Sequence, residues 1–273
     1  MELTKDLRRI LDIGIALTNE KDYNLLLEKI LMESMKITNS DAGTLYVNEP
    51  DGLKFMLMRN STLGVYKGGD GEDIEMPKVA FAEGNVCAYA AIHRKIINIP
   101  DVYTSEEFNF TGPKKYDAIT GYRTKSMLVV PLQDHENEII GVIQLMNAMD
   151  LEQNVTTYRK EDEYIINSIA SQAAVTLANM NHIKEIKDML YSMVSTLTTA
   201  IDERSPFNAN HSKNVAKYAG ELIDYINSQY EMGKTTLHFS EERREQIVMA
   251  AMLHDIGKLV TPLEIMNKPT RLG

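Results

Sequence analysis

From Thr157 to Ile201 the chain carries neither proline nor glycine, and its apolar residues recur at alternating spacings of three and four. The seam runs through Ile166, Ile169, Ala173, Thr176, Met180, Ile183, Lys187, Leu190, Val194, Leu197 and Ile201, and only Thr176 and Lys187 break its apolar character. Glu161, Asp162 and Glu163 lie where a helix dipole favours negative charge. The pattern predicts one helix opening near Thr157 and, at 1.5 Å per residue, roughly 50 Å of regular seam. About five heptads of this kind form a coiled-coil signature. Two arrangements satisfy it: pairing with the same helix of a second copy, or packing along the chain's own domain. The stretch is long for a globular helix and has a separate region at each end, which favours a homodimer through this helix.

The region before the helix mixes two periods. Leu3, Leu7, Ile10, Leu11, Gly14 and Leu17 repeat at helical spacing, and a second helix fits Asp22 to about Lys36. Gly43–Val47 and Leu53–Leu57 read as strands around the turn residues Pro50-Asp51-Gly52. Gly84–Arg94 reads as a helix, followed by a short strand through Ile96, Ile97 and Ile99. Ser126–Leu132 and Glu138–Leu145 form a hairpin around the polar turn Gln133–Asn137. Helices followed by antiparallel strands with helical excursions make an α+β layout. After Ser205-Pro206 the pattern is helical again. Val215, Tyr218, Ala219, Leu222 and Ile226 make one amphipathic stripe, and Glu241–Leu253 follows Ser240 as a capping residue. The expected division is residues 1–160, 161–203 and 204–273, with the first turns of the connecting helix closing the first domain.

Composition narrows the function classes. Lys and Arg number 29 against 39 Asp and Glu, a net charge of −10. No basic cluster supplies the surface that a nucleic-acid polymer requires. No apolar run reaches the roughly 18 residues of a membrane span, and the polar start Met1-Glu2-Leu3-Thr4-Lys5 lacks the layout of a signal peptide. Cys87 is the single cysteine, so no internal disulfide can form and a cytoplasmic location is expected.

The densest chemical signal is Leu253-His254-Asp255-Ile256-Gly257-Lys258, an apolar helix ending in His-Asp. A His-Asp pair alone carries little, and a lone histidine on a helix is commonly a hydrogen-bonded core residue. Here the context is ordered: Ala200-Ile201-Asp202-Glu203-Arg204-Ser205-Pro206-Phe207, then His211-Ser212, then the His-Asp segment, then Ile265-Met266-Asn267-Lys268-Pro269. This succession resembles the opening of an HD-GYP domain, a bacterial branch of the HD metal-dependent phosphohydrolases. The resemblance implies an all-α domain with divalent transition metals, iron or manganese, that hydrolyses cyclic di-GMP. It implies that His211 and His254 ligate metal, that Asp255 bridges two ions, and that Lys258 faces the phosphate as a point charge. Imidazole and carboxylate suit such ions, and paired ions activate water and neutralise charge on the phosphodiester. Ser205-Pro206-Phe207-Asn208 stands where the family has Asp-Pro-Tyr-Thr. The family's later histidines, last aspartate and Gly-Tyr-Pro signature would fall after residue 273, so the site is expected to be incomplete and the domain truncated.

The first region resembles a GAF domain of the type found in cyclic-nucleotide phosphodiesterases. The matching residues are Ile97–Tyr103, Phe108-Asn109, Asp117, Thr120–Thr124, Met127–Leu132 and Gly141–Asn147. The resemblance covers about Tyr23 to Asn179. It implies an antiparallel sheet of about six strands with helices on both faces, and a small ligand under the segment 98–124. That segment is a long connection rich in polar and aromatic residues, and such connections are usually functional. Asn98, Asp101, Phe108, Asp117, Thr120 and Thr124 are the candidate ligand-binding residues. The cyclic-nucleotide-binding signature Asn-Lys, Phe, Asp-Glu reads here as Asn147-Ala148, Tyr158, Asp162-Glu163, so the lysine and phenylalanine are replaced. The ligand is therefore open: a cyclic nucleotide, another small molecule, or none in a domain that only dimerises. Cys87 and His93 could signal haem or redox sensing, but each stands alone.

Three function classes follow from these resemblances. The first is a GAF-regulated cyclic-di-GMP phosphodiesterase. The second is a non-catalytic dimeric sensor with an incomplete HD domain. The third is an HD phosphohydrolase for other nucleotides, against which Asn267-Lys268-Pro269 argues.

Overall fold

The computed structural model describes residues 11–203 and 210–266. Leu3, Leu7 and Ile10 of the first helical pattern, the Ser205-Pro206-Phe207-Asn208 departure and Asn267-Lys268-Pro269 lie outside the described residues. The chain divides into two compact units, with the boundary between His182 and Ile183.

The first unit opens with helix α1 (residues 11–18) and α2 (Tyr23–Thr38). Asp22 caps α2 by accepting from the Leu25 N–H at 2.9 Å, and Asn39 ends it in the left-handed conformation. Strands β1 (Ser40–Glu49) and β2 (Gly52–Asn60) form the first hairpin at the expected turn, and β3 (Val65–Lys67) adds to its edge. Helix α3 (Val86–His93), capped by Asn85, leads to β4 (Ile97–Ile99). Helix α4 (Thr111–Thr120) precedes the hairpin of β5 (Met127–Gln133) and β6 (Ile139–Met149), and β7 (Val155–Thr156) pairs with β6. The sheet has 7 strands in the order β3-β2-β1-β6-β5-β4 with β7 off the path, and its ladders are antiparallel.

Alternation along each strand gives the sheet two apolar faces. Leu45, Leu57, Leu128, Val130 and Ile143 pack with Leu26 and Ile30 of α2, Leu17 of α1, and the first turns of the helix that follows the sheet. Tyr46, Met127, Val129 and Val142 face the other way, against Cys87 and Ala90 of α3 and against Val102 and Phe110.

Helix α5 (Lys160–Glu203) is continuous over 44 residues. It begins at Lys160 rather than Thr157, because Asp162 turns back to accept from the Arg159 N–H at 2.8 Å and closes the first turn there. Ile166, Ile169, Ala173 and Leu177 are buried in the first unit. In the second unit Val194, Thr198 and Ile201 of the same helix are buried. Between these stretches Ile183, Ile186, Met189 and Leu190 are exposed.

The second unit continues with α6 (His211–Glu231), α7 (Glu241–Leu253), a 3-10 turn (Ile256–Leu259) and α8 (Leu263–Met266). Ser240 caps α7 as expected. Val194, Ala216 and Met252 form its small core. Arg244 of α7 makes a two-pronged contact with Asp224 of α6, at 2.6 and 2.8 Å.

Three sequence expectations need correction. The connection 98–124 contains helix α4: Pro113 sits in its first turn, where its missing N–H costs no helical hydrogen bond. The sheet gains the short edge strand β3 and the two-residue β7, both too brief to show a period. The buried face of α6 is Ser212, Ala216, Gly220 and Ile223, whereas Tyr218 and Leu222 of the expected stripe are exposed. Small residues let α6 approach its neighbours closely, which the bulkier stripe would prevent. Among the described residues no helix is long and apolar enough to cross a membrane.

Candidate functional site

Helix ends in the second unit bring the HD residues together. His211 is the first residue of α6, His254 caps the C-terminus of α7, Asp255 immediately precedes the 3-10 turn, and Lys258 lies within it. The Nε2 atoms of His254 and His211 lie 3.3 and 3.8 Å from Asp255 Oδ2. The imidazole rings are 5.3 Å apart between centroids. His254 Nδ1 lies 2.7 Å from the Ala251 carbonyl, which can only accept, so Nδ1–H donates there and Nε2 is the nitrogen that faces Asp255. Lys258 Nζ donates to the Asp255 carboxylate.

These groups suit a divalent ion. One donor atom each from His211, His254 and Asp255 lies within 4.8 Å of the others. Two imidazoles and a carboxylate are a donor set for iron, manganese or zinc, and the Ala251 carbonyl supplies the orienting partner that ligating histidines commonly have. The site is open to solvent, with side-chain exposures of 44% for His211, 36% for His254 and 20% for Asp255.

The candidate residues of segment 98–124 do not converge on one point. Asp117 of α4 is buried and accepts from Tyr103 Oη at 2.9 Å, the Thr124 N–H at 2.8 Å and Thr124 Oγ1 at 3.0 Å. Thr124 thus joins Asp117. Phe108 enters the apolar cluster of α3, edge-on to Tyr89 at 5.1 Å. Asp101 and Thr120 serve local turns, Asp101 by accepting from the Tyr103 N–H and Thr120 by donating to the Tyr116 carbonyl. Asn98 points to the α5 side of the sheet, donating to the Tyr158 carbonyl at 3.1 Å and to Glu163 at 2.9 Å.

Of the residues that anchor the end of this segment, sequence reasoning named Tyr122 and Asn147 only as parts of the family resemblance and did not single out Asp41. Buried Asp41 accepts from Tyr122 Oη at 2.7 Å and from both the N–H and the hydroxyl of Thr62. Asn147, at φ 56°, accepts from the Lys125 N–H and donates to the Arg123 carbonyl. A carboxylate in the first residues of a strand was the available signal for Asp41. Burial, reinforced by the neighbouring Asp41 carboxylate, raises the Tyr122 hydroxyl above its ordinary range and keeps it a donor. Burial also pushes the Cys87 thiol up to about 12, which leaves it protonated and unsuited to redox sensing.

Comparison with known proteins agrees with both halves. Residues 22–177 match the GAF domain family, and residues 208–272 match the HD domain family. The chain is 32% identical over 178 residues to the dual 3',5'-cyclic-AMP and -GMP phosphodiesterase 11 of Drosophila melanogaster, covering 62% of this chain and 12% of the relative. It is 27% identical over 184 residues to the phosphodiesterase 11A of Takifugu rubripes, covering 66% of this chain and 18% of the relative. The chain therefore spans under a fifth of these curated relatives. Among solved structures, the GAF domains of the phosphoenolpyruvate-protein phosphotransferases of Coxiella burnetii and Acinetobacter superpose with TM-scores of 0.52 and 0.50, each at 14% identity. Each covers 66% of this chain, and 96% and 98% respectively of the solved domain. The sheet order, the two-faced core and these matches agree: the chain belongs to the GAF family, its GAF domain followed by a long helix and a helical HD domain.

Proposed function

We propose that this chain is the sensory part and the beginning of the catalytic part of a bacterial, cytoplasmic phosphodiesterase of the HD-GYP type, acting on cyclic di-GMP. In this reading residues 1–160 sense a small molecule such as a cyclic nucleotide. Residues 161–203 connect and pair two copies, and residues 204–273 begin the hydrolase. The observation that carries it is the convergence of His211, His254 and Asp255 on one point. The naming of the curated relatives as cyclic-nucleotide phosphodiesterases supports phosphodiester chemistry.

A divalent iron or manganese ion, when bound, supplies Lewis acidity and an acidified water. The chain's residues do the rest. His211 and His254 present imidazole nitrogens, with His254 held in one tautomer by the Ala251 carbonyl. Asp255 contributes its carboxylate, and its contact with Lys258 keeps an ammonium beside the site. That ammonium can turn to a phosphate oxygen, where its positive charge offsets the charge that builds up during hydrolysis.

The non-catalytic sensor is the second reading, favoured by the donor count among the described residues: the three groups there hold one ion, and a second ion needs donors beyond them. The test is metal content measured on purified chain, with cyclic di-GMP, cyclic AMP and cyclic GMP turnover followed on the same sample. About two or more ions per chain with linear release of product from cyclic di-GMP would support the hydrolase reading and would mean that the chain completes a site expected from its sequence to be incomplete. Neither metal nor turnover would leave the sensor reading. Pairing is tested by the mass in solution of wild type against Ile186→Asp, whose residue is 65% exposed. A dimer that the substitution splits is expected, and a wild-type monomer would overturn pairing.

A further inference from the structure

We infer that Asp202 is a positioning residue for the metal centre, holding His211 in place from the last turn of α5. The inference rests on the metal-centre reading proposed above. Asp202 is 4% exposed, an uncommon setting for a carboxylate, and its partner Ser212 is fully buried. Asp202 Oδ2 accepts from the Ser212 N–H at 3.2 Å, and Oδ1 accepts from Ser212 Oγ at 2.9 Å. Ser212 immediately follows His211 in the first turn of α6.

The N–H groups of a helix's first turn have no acceptor within the helix and are usually served by the capping side chain. Here Asn210, in the left-handed conformation at φ 65°, makes no capping hydrogen bond. The carboxylate from α5 performs that task instead, and so fixes the backbone from which the His211 ring projects. One turn earlier on the same face of α5, buried Thr198 reaches the other ligand-bearing helix. Its Oγ1 lies 2.7 Å from the Val194 carbonyl and 3.4 Å from the Met252 carbonyl, two residues before His254. The end of α5 therefore touches the backbone beside both imidazole ligands.

The experiment measures Mn2+ affinity of the full chain by calorimetry, with the thermal unfolding midpoint recorded for each variant. Asp202→Ala is expected to weaken Mn2+ binding by about tenfold or more, the usual effect of removing an outer-shell partner. Asp202→Asn is expected to restore it, because an amide oxygen can accept from the Ser212 N–H while its NH2 donates to Oγ. Ser212→Ala removes one of the two contacts and is expected to fall between wild type and Asp202→Ala. A folded Asp202→Ala that binds Mn2+ as tightly as wild type overturns the inference. So does an Asp202→Asn that loses as much as the alanine variant, since charge rather than placement would then be the cause. If Asp202→Ala does not fold, Ser212→Ala decides, and unchanged affinity there is the overturning result. Wild type that binds no Mn2+, or binds it unchanged in His254→Ala, overturns the metal reading and this inference with it.

Discussion

Asp117 and Thr124 are joined twice, the carboxylate accepting both the backbone N–H of Thr124 at 2.8 Å and its hydroxyl at 3.0 Å. With Tyr103 Oη as a third donor, this buried carboxylate ties α4 to the chain segments that precede and follow it. Asp117→Ala leaves those donors without their acceptor, and loss of charge-assisted bonds of this kind costs about 2–4 kcal/mol. Denaturant unfolding should register that loss, and amide exchange should quicken across residues 101–124. Unchanged exchange in a folded variant would mean that the segment is held by its apolar contacts instead.

Gly141 of β6 pairs with Val47 of β1 and lies against the β1 backbone. A Cβ at this position would sit 2.1 Å from the Tyr46 carbonyl oxygen and 3.1 Å from Leu132 Cδ1. The Tyr46 carbonyl is backbone and cannot rotate aside, so Gly141→Ala must push two central strands apart. Overpacking of this sort destabilises by about 1–3 kcal/mol. A variant whose unfolding midpoint matches wild type would show that the strands accommodate the methyl group.

Glu28 gives the first unit a pH dependence. Burial alone would raise its carboxyl, but Arg59 Nη2 at 2.9 Å and the Tyr66 hydroxyl outweigh burial and bring it below the ordinary value of 4.5. A depressed carboxyl contributes stability above its unfolded value and loses it as pH falls through the folded one. Because Glu28 is partly exposed, Glu28→Gln should cost about 0.5–1 kcal/mol at pH 7. That difference should shrink as the pH is lowered through and below 4.5, the ordinary value. Paired denaturation curves at pH 7 and in acid check it, and a gap that widens in acid would reverse the assignment.

On the proposed hydrolase reading, Lys258 would separate metal binding from turnover. Its ammonium pairs with the carboxylate that a divalent ion would use, so it competes with the ion for Asp255. Lys258→Ala should bind Mn2+ at least as tightly as wild type while losing phosphodiester hydrolysis by about a hundredfold. Calorimetry and product assays on one preparation distinguish the effects. A variant that binds Mn2+ markedly more weakly would make Lys258 a support for the ligand rather than a phosphate contact.

Elements with a strong period were legible in the sequence. The 3,4 seam gave α5, alternation with turn residues gave the β1–β2 and β5–β6 hairpins, and Asp22 and Ser240 marked helix starts that the structure caps at those residues. Short or internally irregular elements were not. Helix α4 carries Gly112-Pro113, which reads as a breaker until Pro113 is seen in the first turn. The α6 stripe misled because apolar residues at helical spacing do not reveal which side a helix buries, and Ala216 and Gly220 decided it by their smallness. His254, Asp255 and Lys258 are close in sequence, so their proximity was readable. The pairing of Asp202 with Ser212 was not, because it depends on how α5 and α6 meet. Asn98 was grouped with the candidate ligand-binding residues of segment 98–124, whereas it bonds to the Tyr158 carbonyl and Glu163; a three-residue strand has too few alternations to show which way a residue faces.

The path of the sheet ends on both sides in strands of three residues, Val65–Lys67 and Ile97–Ile99. A foreign strand laid along either margin would find only a few rungs to bond, and each margin is followed at once by loop or helix. Long open margins are the usual starting point for chain-to-chain stacking into fibres. The GAF half is therefore poorly suited to seed aggregates through its sheet, and it can be concentrated, or duplicated in a dimer, without its strongest hydrogen-bonding surface becoming a liability.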